Sequence, residues 1–405
     1  MKLLYIHQYF NFPENSGGTR SYDLAREFVS MGIDVTIITS SSNLKEFKFK
    51  KRWTYFKRDG IKFWVLKSNY SHFMSILERI LFFFHFAFFA TLKALAIESD
   101  IILATSTPLT VSIPAIIKKK ISSTPFIFEV RDVWPEGPIQ QGYIKNRFLI
   151  IFLRKIEKYI YKQSAYVVPL SIGMKKDILS RVSLNNIKVI TNISEIDRFK
   201  NISNKVELKY DFTDRKIILY AGTLGPVNDI MYLAKLAEKM IHIESKIAFL
   251  VVGDGKQKKE IIAYCKKHNI LNKNIYFLDP VSKNSLPYLY NIATMGSSFV
   301  WDYKIKWDNS ANKFFDTLAA GRPILINYQG WQADVIQNKR CGYIMPYYFN
   351  EKDVVELAKY IMNDQIIVSH GKNALKAADE FSLKKAVEKY MEIFNELKNI
   401  VNAKA

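Results

Sequence analysis

The sequence predicts an α/β protein built of two Rossmann-like, doubly wound domains. Short apolar runs rich in Ile, Val and Leu alternate with helical segments along the whole chain, the pattern of successive βαβ units. The alternation breaks once, at the polar and charged stretch Ile193–Lys216, which reads as a linker, and restarts at KIILYAG (Lys216–Gly222). A length of 405 residues suits two or three domains of about 150 residues each, and 49% hydrophobic residues can fill their cores.

In the first half, Lys2–Tyr9 reads as a strand and Thr19–Met31 as a helix, separated by the loop FNFPENSGG. Gly17 and Gly18 allow close backbone approach at this strand-to-helix turn, where α/β sheets bind ligands. No GxGxxG follows, which counts against a dinucleotide. Asp34–Thr39, Asp100–Ser106, Phe126–Val130, Ala165–Ser171 and Lys188–Thr191 read as further strands. In the second half, strands are predicted at Lys216–Gly222, Ile247–Gly255, Ile275–Pro280, MGSSFVW, Pro323–Asn327 and Cys341–Met345. Val227–Ile243 and the amphipathic tail Leu383–Ile400 read as helices. The domains are then 1–195, joined by a C-terminal helix at 381–405, and 196–380.

Two segments stand apart. Lys45–Lys67 mixes basic and aromatic residues and reads as a basic loop. Ile76–Ile97, ILERILFFFHFAFFATLKALAI, has an apolar centre too short to span a bilayer and interrupted by His85. It fits either a core helix of the first domain or a helix that dips into a membrane surface. Arg147–Lys162 is a second basic, amphipathic stretch. The net charge of +21 is concentrated here: residues 1–200 hold 30 Lys and Arg against 16 Asp and Glu. Such an excess calls for an anionic partner, and together these features point to peripheral contact with a membrane face. No nucleic-acid-binding signature accompanies the charge, so no nucleic acid is expected as a partner.

The two cysteines, Cys265 and Cys341, form no CxxC or Cys/His cluster, which argues for a reducing compartment and against structural zinc. The N-terminus MKLLYIHQYF lacks the features of a signal peptide and leads straight into a strand, so a cytoplasmic protein is expected.

The richest stretch is Trp307–Pro323, WDNSANKFFDTLAAGRP. Asn309 or Ser310 reads as the N-cap of a short helix that Gly321 and Pro323 end. Phe314, Phe315 and Leu318 form its apolar side; Asn312, Lys313 and Asp316 lie on another face. Free N–H groups at the helix start, with Lys313, favour a diphosphate, and the carboxylates of Asp308 and Asp316 suit sugar and ribose hydroxyls. The alternative is a surface helix with an acidic N-terminus.

Asp308 and Asp316 are separated by seven residues, and TLAAGRP follows. This resembles the E-x7-E signature of retaining GT-B glycosyltransferases of the GT4 type, with Asp in place of both Glu. NSANKFFDTLAAGRP is similar to the WbuB-like branch of O-antigen and capsule L-fucosamine transferases. The resemblance extends over essentially the whole chain. It implies the GT-B fold, two Rossmann-like domains facing each other across a cleft that a hinge closes, and a UDP-sugar donor. It also implies retention of anomeric configuration and no metal, and no DxD triplet is present. The acceptor that the resemblance implies is a lipid-linked glycan on undecaprenyl diphosphate, at the inner face of the cytoplasmic membrane. N-acetyl-L-fucosamine or another N-acetylated hexosamine is the sugar that the branch suggests.

Residue by residue, the resemblance assigns Asp308 to the donor sugar, with the N–H groups of Asn309, Ser310 and Ala311 beside it, and Asp316 to the ribose. Gly222 begins the diphosphate loop, and Asp279–Val281 matches a loop that holds the base. Relatives carry Arg and Lys where Thr223 and Asn228 stand here, so Lys313 and Arg131 are the candidates for the diphosphate charge. Arg131 also replaces a common His before Asp132. Asp132 is then placed to orient the acceptor hydroxyl or remove its proton, unless Arg131 and Asp132 simply form a buried ion pair. The runner-up activity is a GT-B sugar-nucleotide epimerase of the UDP-N-acetylglucosamine 2-epimerase kind.

Overall fold

The computed structural model describes residues 1–44, 47–68, 74–202 and 204–402. The start of the basic stretch at Lys45 and the tail of the C-terminal helix at 403–405 lie outside the described residues. Two compact units emerge. One holds residues 1–15, 19–191 and 383–405, the other 16–18 and 192–382.

The first unit is a seven-stranded sheet. Its strands are β1 (Lys2–Ile6), β2 (Asp34–Ser40), β3 (Trp53–Arg58), β4 (Ile61–Leu66), β5 (Ile101–Thr105), β6 (Phe126–Val130) and β7 (Tyr166–Pro169), in the order β3-β4-β2-β1-β5-β6-β7. All neighbours pair parallel except β3 and β4. The central strands β1, β5 and β6 are almost entirely apolar and buried, as expected for strands covered on both faces. One buried charge pair crosses this core. Arg20 donates to Glu129 at 2.9 Å and to the carbonyls of Ile190 and Thr191. Tyr390, on the helix Leu383–Asn402, donates to the same carboxylate at 2.5 Å, while Tyr390 and Phe394 pack on Phe28. That tail helix is thereby part of the first unit.

The second unit is a six-stranded, wholly parallel sheet. Its strands are β8 (Lys216–Ala221), β9 (Ile247–Val252), β10 (Ile275–Leu278), β11 (Met295–Ser298), β12 (Ile324–Ile326) and β13 (Gly342–Ile344), in the order β10-β9-β8-β11-β12-β13. The α/β class with two Rossmann-like sheets is therefore as the sequence predicts.

Four local expectations need correction. The basic loop is an antiparallel hairpin: β3 and β4 pair from Trp53↔Leu66 to Arg58↔Ile61. They turn through Asp59 and Gly60, both at positive φ, a tight-hairpin geometry that suits Asp-Gly. Phe63 from this hairpin packs on Phe10 and Phe12. Lys188–Thr191 forms no strand, only an isolated bridge at Ile187, because the carbonyls of Ile190 and Thr191 turn to Arg20. The stretch Ile193–Lys216 is not a free linker. Phe199 is buried, and Tyr210 and Phe212 pack on Tyr276.

The fourth concerns the apolar helix, which spans Ile76–Leu95 with a Ser75/Glu78 capping box. It is a core helix on one side only. Phe82, Phe86, Ala87, Ala90 and Ala94 are buried, while Leu77, Leu81, Phe84, Phe88 and Leu92 are exposed. Among the described residues no helix is long and apolar enough to cross a membrane.

Candidate functional site

The site in the second unit is built on two glycine-rich turns and one short helix. β8 ends in Tyr220-Ala221-Gly222, and the loop that follows is fixed by Tyr220 Oη and Asn228 Nδ2, both donating to the Thr223 carbonyl at 2.9 Å. The Gly-Asp-Gly turn after β9 lies directly on this loop. Gly222 N–H donates to the Val252 carbonyl and Leu224 N–H to that of Asp254, each at 2.9 Å. A Cβ at Gly253 would sit 1.9 Å from the Gly222 oxygen, and Gly253 also adopts positive φ, so only glycine fits there.

The short helix runs Asn312–Ala319, and its N-cap is Ala311, with no side chain capping it. Asn309 and Ser310 therefore do not cap it as expected; their polar groups are engaged elsewhere. Asn309 Oδ1 accepts from the Ala311 N–H at 3.0 Å, and its carbonyl accepts from the Trp331 indole at 2.9 Å. Ser310 Oγ accepts from the Asn192 N–H at 3.2 Å, and its carbonyl from the Asn192 amide. The segment 309–311 is thus pinned at three points. Phe314, Phe315 and Leu318 are buried as predicted, and Thr317 seats the helix against β11, where a Cβ on Gly296 would meet its hydroxyl at 2.2 Å.

Lys313 and Asp316 both project to functional-looking places. Lys313 Nζ donates to Asn228 Oδ1 at 3.2 Å and lies 5.1 Å from the Tyr220 ring centre. A Cβ on Gly222 would stand 3.3 Å from Nζ, so the missing side chain leaves room for the ammonium. The lysine named as substitute for the usual cations is therefore brought to both Gly222 and Asn228. Burial pushes its pKa down to about 8, against an opposing pull from Asp316.

Asp316 is buried, and Lys283 donates to its two oxygens at 2.6 and 2.5 Å. Lys283 was not among the sequence candidates. It sits two residues after Val281, in a turn capped by Ser282, and nothing in its local pattern marks it beyond that neighbourhood. Two acceptor positions of the carboxylate are occupied by this lysine, leaving others for a ligand. Val281 is half-buried beside it, while Asp279 is exposed and pairs with Lys258 at 2.8 Å. Asp308 is half-buried, just after the helical turn Lys304–Trp307. Gly17, at φ 112°, and Gly18 fall in the second unit with these residues.

Arg131 and Asp132 belong to the first unit, at the end of β6. The Arg131 N–H donates to Ser106 Oγ at 3.0 Å, and its guanidinium lies 3.4 Å from His7 Nε2, just past the end of β1. Burial and the arginine hold His7 well below its usual pKa, so the imidazole is neutral and Nε2 accepts. Asp132 is exposed. A buried Arg131–Asp132 ion pair is thus not what forms: the arginine turns to His7. His7 reaches Arg131 from the end of β1, two strands away from β6 across β5.

Comparisons with known proteins agree with this architecture. The family model for "Glycosyl transferases group 1" matches residues 200–381, and that for "Glycosyltransferase Family 4" matches residues 17–198. An uncharacterized glycosyltransferase of Methanocaldococcus jannaschii is 26% identical over 267 residues, 64% of this chain and 65% of that protein. The poly(ribitol-phosphate) alpha-N-acetylglucosaminyltransferase of Staphylococcus aureus is 21% identical over 253 residues, 60% of this chain and 47% of that one. The chain thus spans less than two thirds of the length of these curated relatives. Among solved structures, Anabaena HepE in complex with UDP and glucose superposes with a TM-score of 0.70 at 13% identity, covering 98% of this chain and 100% of that one.

Proposed function

We propose that this chain, matched by the group 1 glycosyltransferase model over residues 200–381 and by the glycosyltransferase family 4 model over residues 17–198, transfers a sugar from a UDP-sugar to a lipid-linked glycan with retention of configuration. The observation that carries the donor assignment is Lys313, held beside Gly222 and Asn228 with its charge partly desolvated. A diphosphate arriving at that point would restore full protonation and receive a strong charge-assisted hydrogen bond.

In this reading the bond between the anomeric carbon and the diphosphate oxygen breaks, and the acceptor oxygen bonds to the same face of the sugar. The acceptor proton passes to the departing diphosphate, and UDP leaves. Lys313, the Gly17, Gly18 and Gly222 backbone and the N–H groups of 309–311 meet the negative charge that builds on the leaving group. Asp308 meets the sugar, Asp316 the ribose, and the Val281 loop the base. Arg131 and Asp132 serve the acceptor. In this reading these protein groups supply that charge without a metal.

An N-acetylated hexosamine, N-acetyl-L-fucosamine in first place, is the proposed sugar; the S. aureus relative is an N-acetylglucosaminyltransferase by name. Assembly of an O-antigen or capsule polysaccharide on undecaprenyl diphosphate is the proposed setting. It would take place in the cytoplasm at the inner membrane face, with the protein bound peripherally. The exposed apolar residues of Ile76–Leu95, and Phe148 and Phe152 of the helix Arg147–Gln163, support that placement. The epimerase alternative is not favoured, since both family models and the relatives named above are of glycosyltransferases.

The test is a thermal-shift screen with UDP, GDP, ADP, CMP and NAD. A ligand at a hundred times its Kd stabilises by about 2.7 kcal/mol. Stabilisation by UDP alone leads to assays with individual UDP-sugars; a response to NAD, or to none of the five, overturns the proposal.

A further inference from the structure

A cavity of about 470 Å³ opens in the first unit, lined by Arg52, Lys67, Ser68, Phe82 and His85. Nothing in the donor assignment uses it. Two of its five lining residues, Arg52 and Lys67, are cationic, and His85 adds an imidazole. Arg52 and Lys67 flank the β3–β4 hairpin, with the Lys67 N–H donating to the Arg52 carbonyl at 2.8 Å, so their side chains leave the backbone at one place. Among the described residues no carboxylate pairs with Arg52, Lys67 or His85. The Arg52 guanidinium instead lies 4.8 Å over the Phe89 ring, and His85 packs against the same ring at 4.8 Å. A guanidinium held on an aromatic platform without a counter-ion keeps its N–H groups available for an incoming anion. Ser68, which also lines the cavity, is held in place by Ser42 Oγ, 3.3 Å from its own hydroxyl, and by Ser41 Oγ, which donates to its carbonyl.

The surroundings say what carries the anion. His85 is on the helix Ile76–Leu95, and its neighbours one turn away, Leu81 and Phe88, are exposed, as is Leu92 a further turn on. The basic pocket therefore continues directly into an apolar strip. On its other side Phe82 meets the Tyr9 ring at 6.5 Å, which puts the pocket beside the end of β1, near His7 and Arg131. A ligand with a phosphate head and a hydrocarbon tail matches both parts at once. A free phosphate would leave the strip unused.

We propose that this pocket binds the phosphate or diphosphate head of an isoprenoid-linked acceptor, with the chain lying along Leu81, Phe88 and Leu92. The inference rests on the lipid-linked acceptor proposed above. It assigns Arg52, Lys67 and His85 to acceptor binding, apart from the donor residues.

The probe is farnesyl diphosphate, titrated calorimetrically with UDP at saturation so that the donor site is filled. The wild type is expected to bind it, and more tightly than inorganic diphosphate. The variant Arg52→Gln/Lys67→Gln, both on exposed side chains, should weaken it by about tenfold or more while leaving UDP stabilisation unchanged. Leu81→Ser/Phe88→Ser should reduce the advantage of farnesyl diphosphate over inorganic diphosphate. Equal binding by wild type and Arg52→Gln/Lys67→Gln would overturn the assignment. So would binding of phosphatidylglycerol vesicles that needs Arg52 and Lys67 without any binding of farnesyl diphosphate, since the source of phosphate would then be the bilayer. Loss of the UDP response in the wild type would instead strike the glycosyltransferase reading itself.

Discussion

Lys283 Nζ stands 2.6 and 2.5 Å from the two carboxylate oxygens of Asp316, and less than a tenth of either side chain is exposed. Each charge is out of water and held by the other. Removing one partner strands the other, at a cost of about 3–5 kcal/mol, whereas replacing both by apolar groups is close to neutral. Lys283→Met and Asp316→Ala are therefore each expected to lower the Tm by roughly 10 °C. The double variant Lys283→Met/Asp316→Leu should regain most of the loss. Thermal melts of the four proteins form the cycle, and strictly additive losses would contradict the pairing. The same arithmetic means that a loss of transfer in Asp316→Ala has to be read beside its melting curve.

Lys313 gives a prediction with a pH signature. Its folded-state pKa is pushed down to about 8 from 10.5, so the unfolded chain binds more protons between those values. Stability of the ligand-free protein should accordingly rise with pH across that window through this group. UDP binding depends on the charged form and should run the other way: constant below about pH 8, then weaker as pH rises. The terminal phosphate of UDP is already ionised above about pH 6, so it does not move in this range. In Lys313→Met the decline above pH 8 should vanish and UDP should bind weakly throughout. The ligand-free variant should be more stable near neutral pH by on the order of 1–3 kcal/mol. Titrations at pH 7, 8 and 9 settle both parts; an unchanged pH profile in the variant would remove Lys313 from the site.

Much of this was legible in the sequence because it depends on short-range pattern. The buried parallel strands announce themselves as apolar runs such as IILAT and IAFLVV, and the spacing of Lys313 and Asp316 is fixed by helical geometry. What escaped notice depends on pairing at a distance. Lys283 is 33 residues from Asp316, and no local rule joins them. The Lys188–Thr191 strand fails because Arg20, some 170 residues earlier, takes its carbonyls. The β3–β4 hairpin is a different case. Its Asp59-Gly60 turn and flanking β-formers are a local signal, which the basic charge of the stretch masks. The Asn309–Ser310 cap does not form for a third reason: Ser310 Oγ is taken by the distant Asn192 N–H, and Asn309 Oδ1 by the Ala311 N–H just short of the helix.

Asp308 separates catalysis from stability better than Asp316 does. It is half-buried in the loop before the helix. Asp308→Asn keeps the shape and removes the charge that would face the donor sugar. The expected result is a fall in turnover on the order of 10²-fold, with UDP stabilisation and Tm close to wild type. A steady-state assay with the UDP-sugar found by screening checks it; unchanged turnover would reassign the acid to a structural role.

The helix Ile76–Leu95 permits a clean test of membrane contact because its two faces are distinct. Leu81, Phe84 and Phe88 are 61%, 56% and 60% exposed, whereas Phe86 is 1% exposed in the core. Insertion of the exposed set beneath lipid head groups would gain roughly 1.5–3 kcal/mol for each side chain fully buried, and the basic excess of the first half adds attraction to anionic lipid. Leu81→Ser/Phe84→Ser/Phe88→Ser is expected to melt within a few degrees of wild type and to stay in the supernatant when phosphatidylglycerol vesicles are sedimented. Wild type should pellet with them, less so as salt is raised. Phe86→Ser should instead lose stability by about 3–5 kcal/mol from the cavity it leaves. If the triple variant still pellets fully, the exposed face is not what holds the protein at the membrane. If the triple variant unfolds as Phe86→Ser does, the face described as exposed belongs to the core.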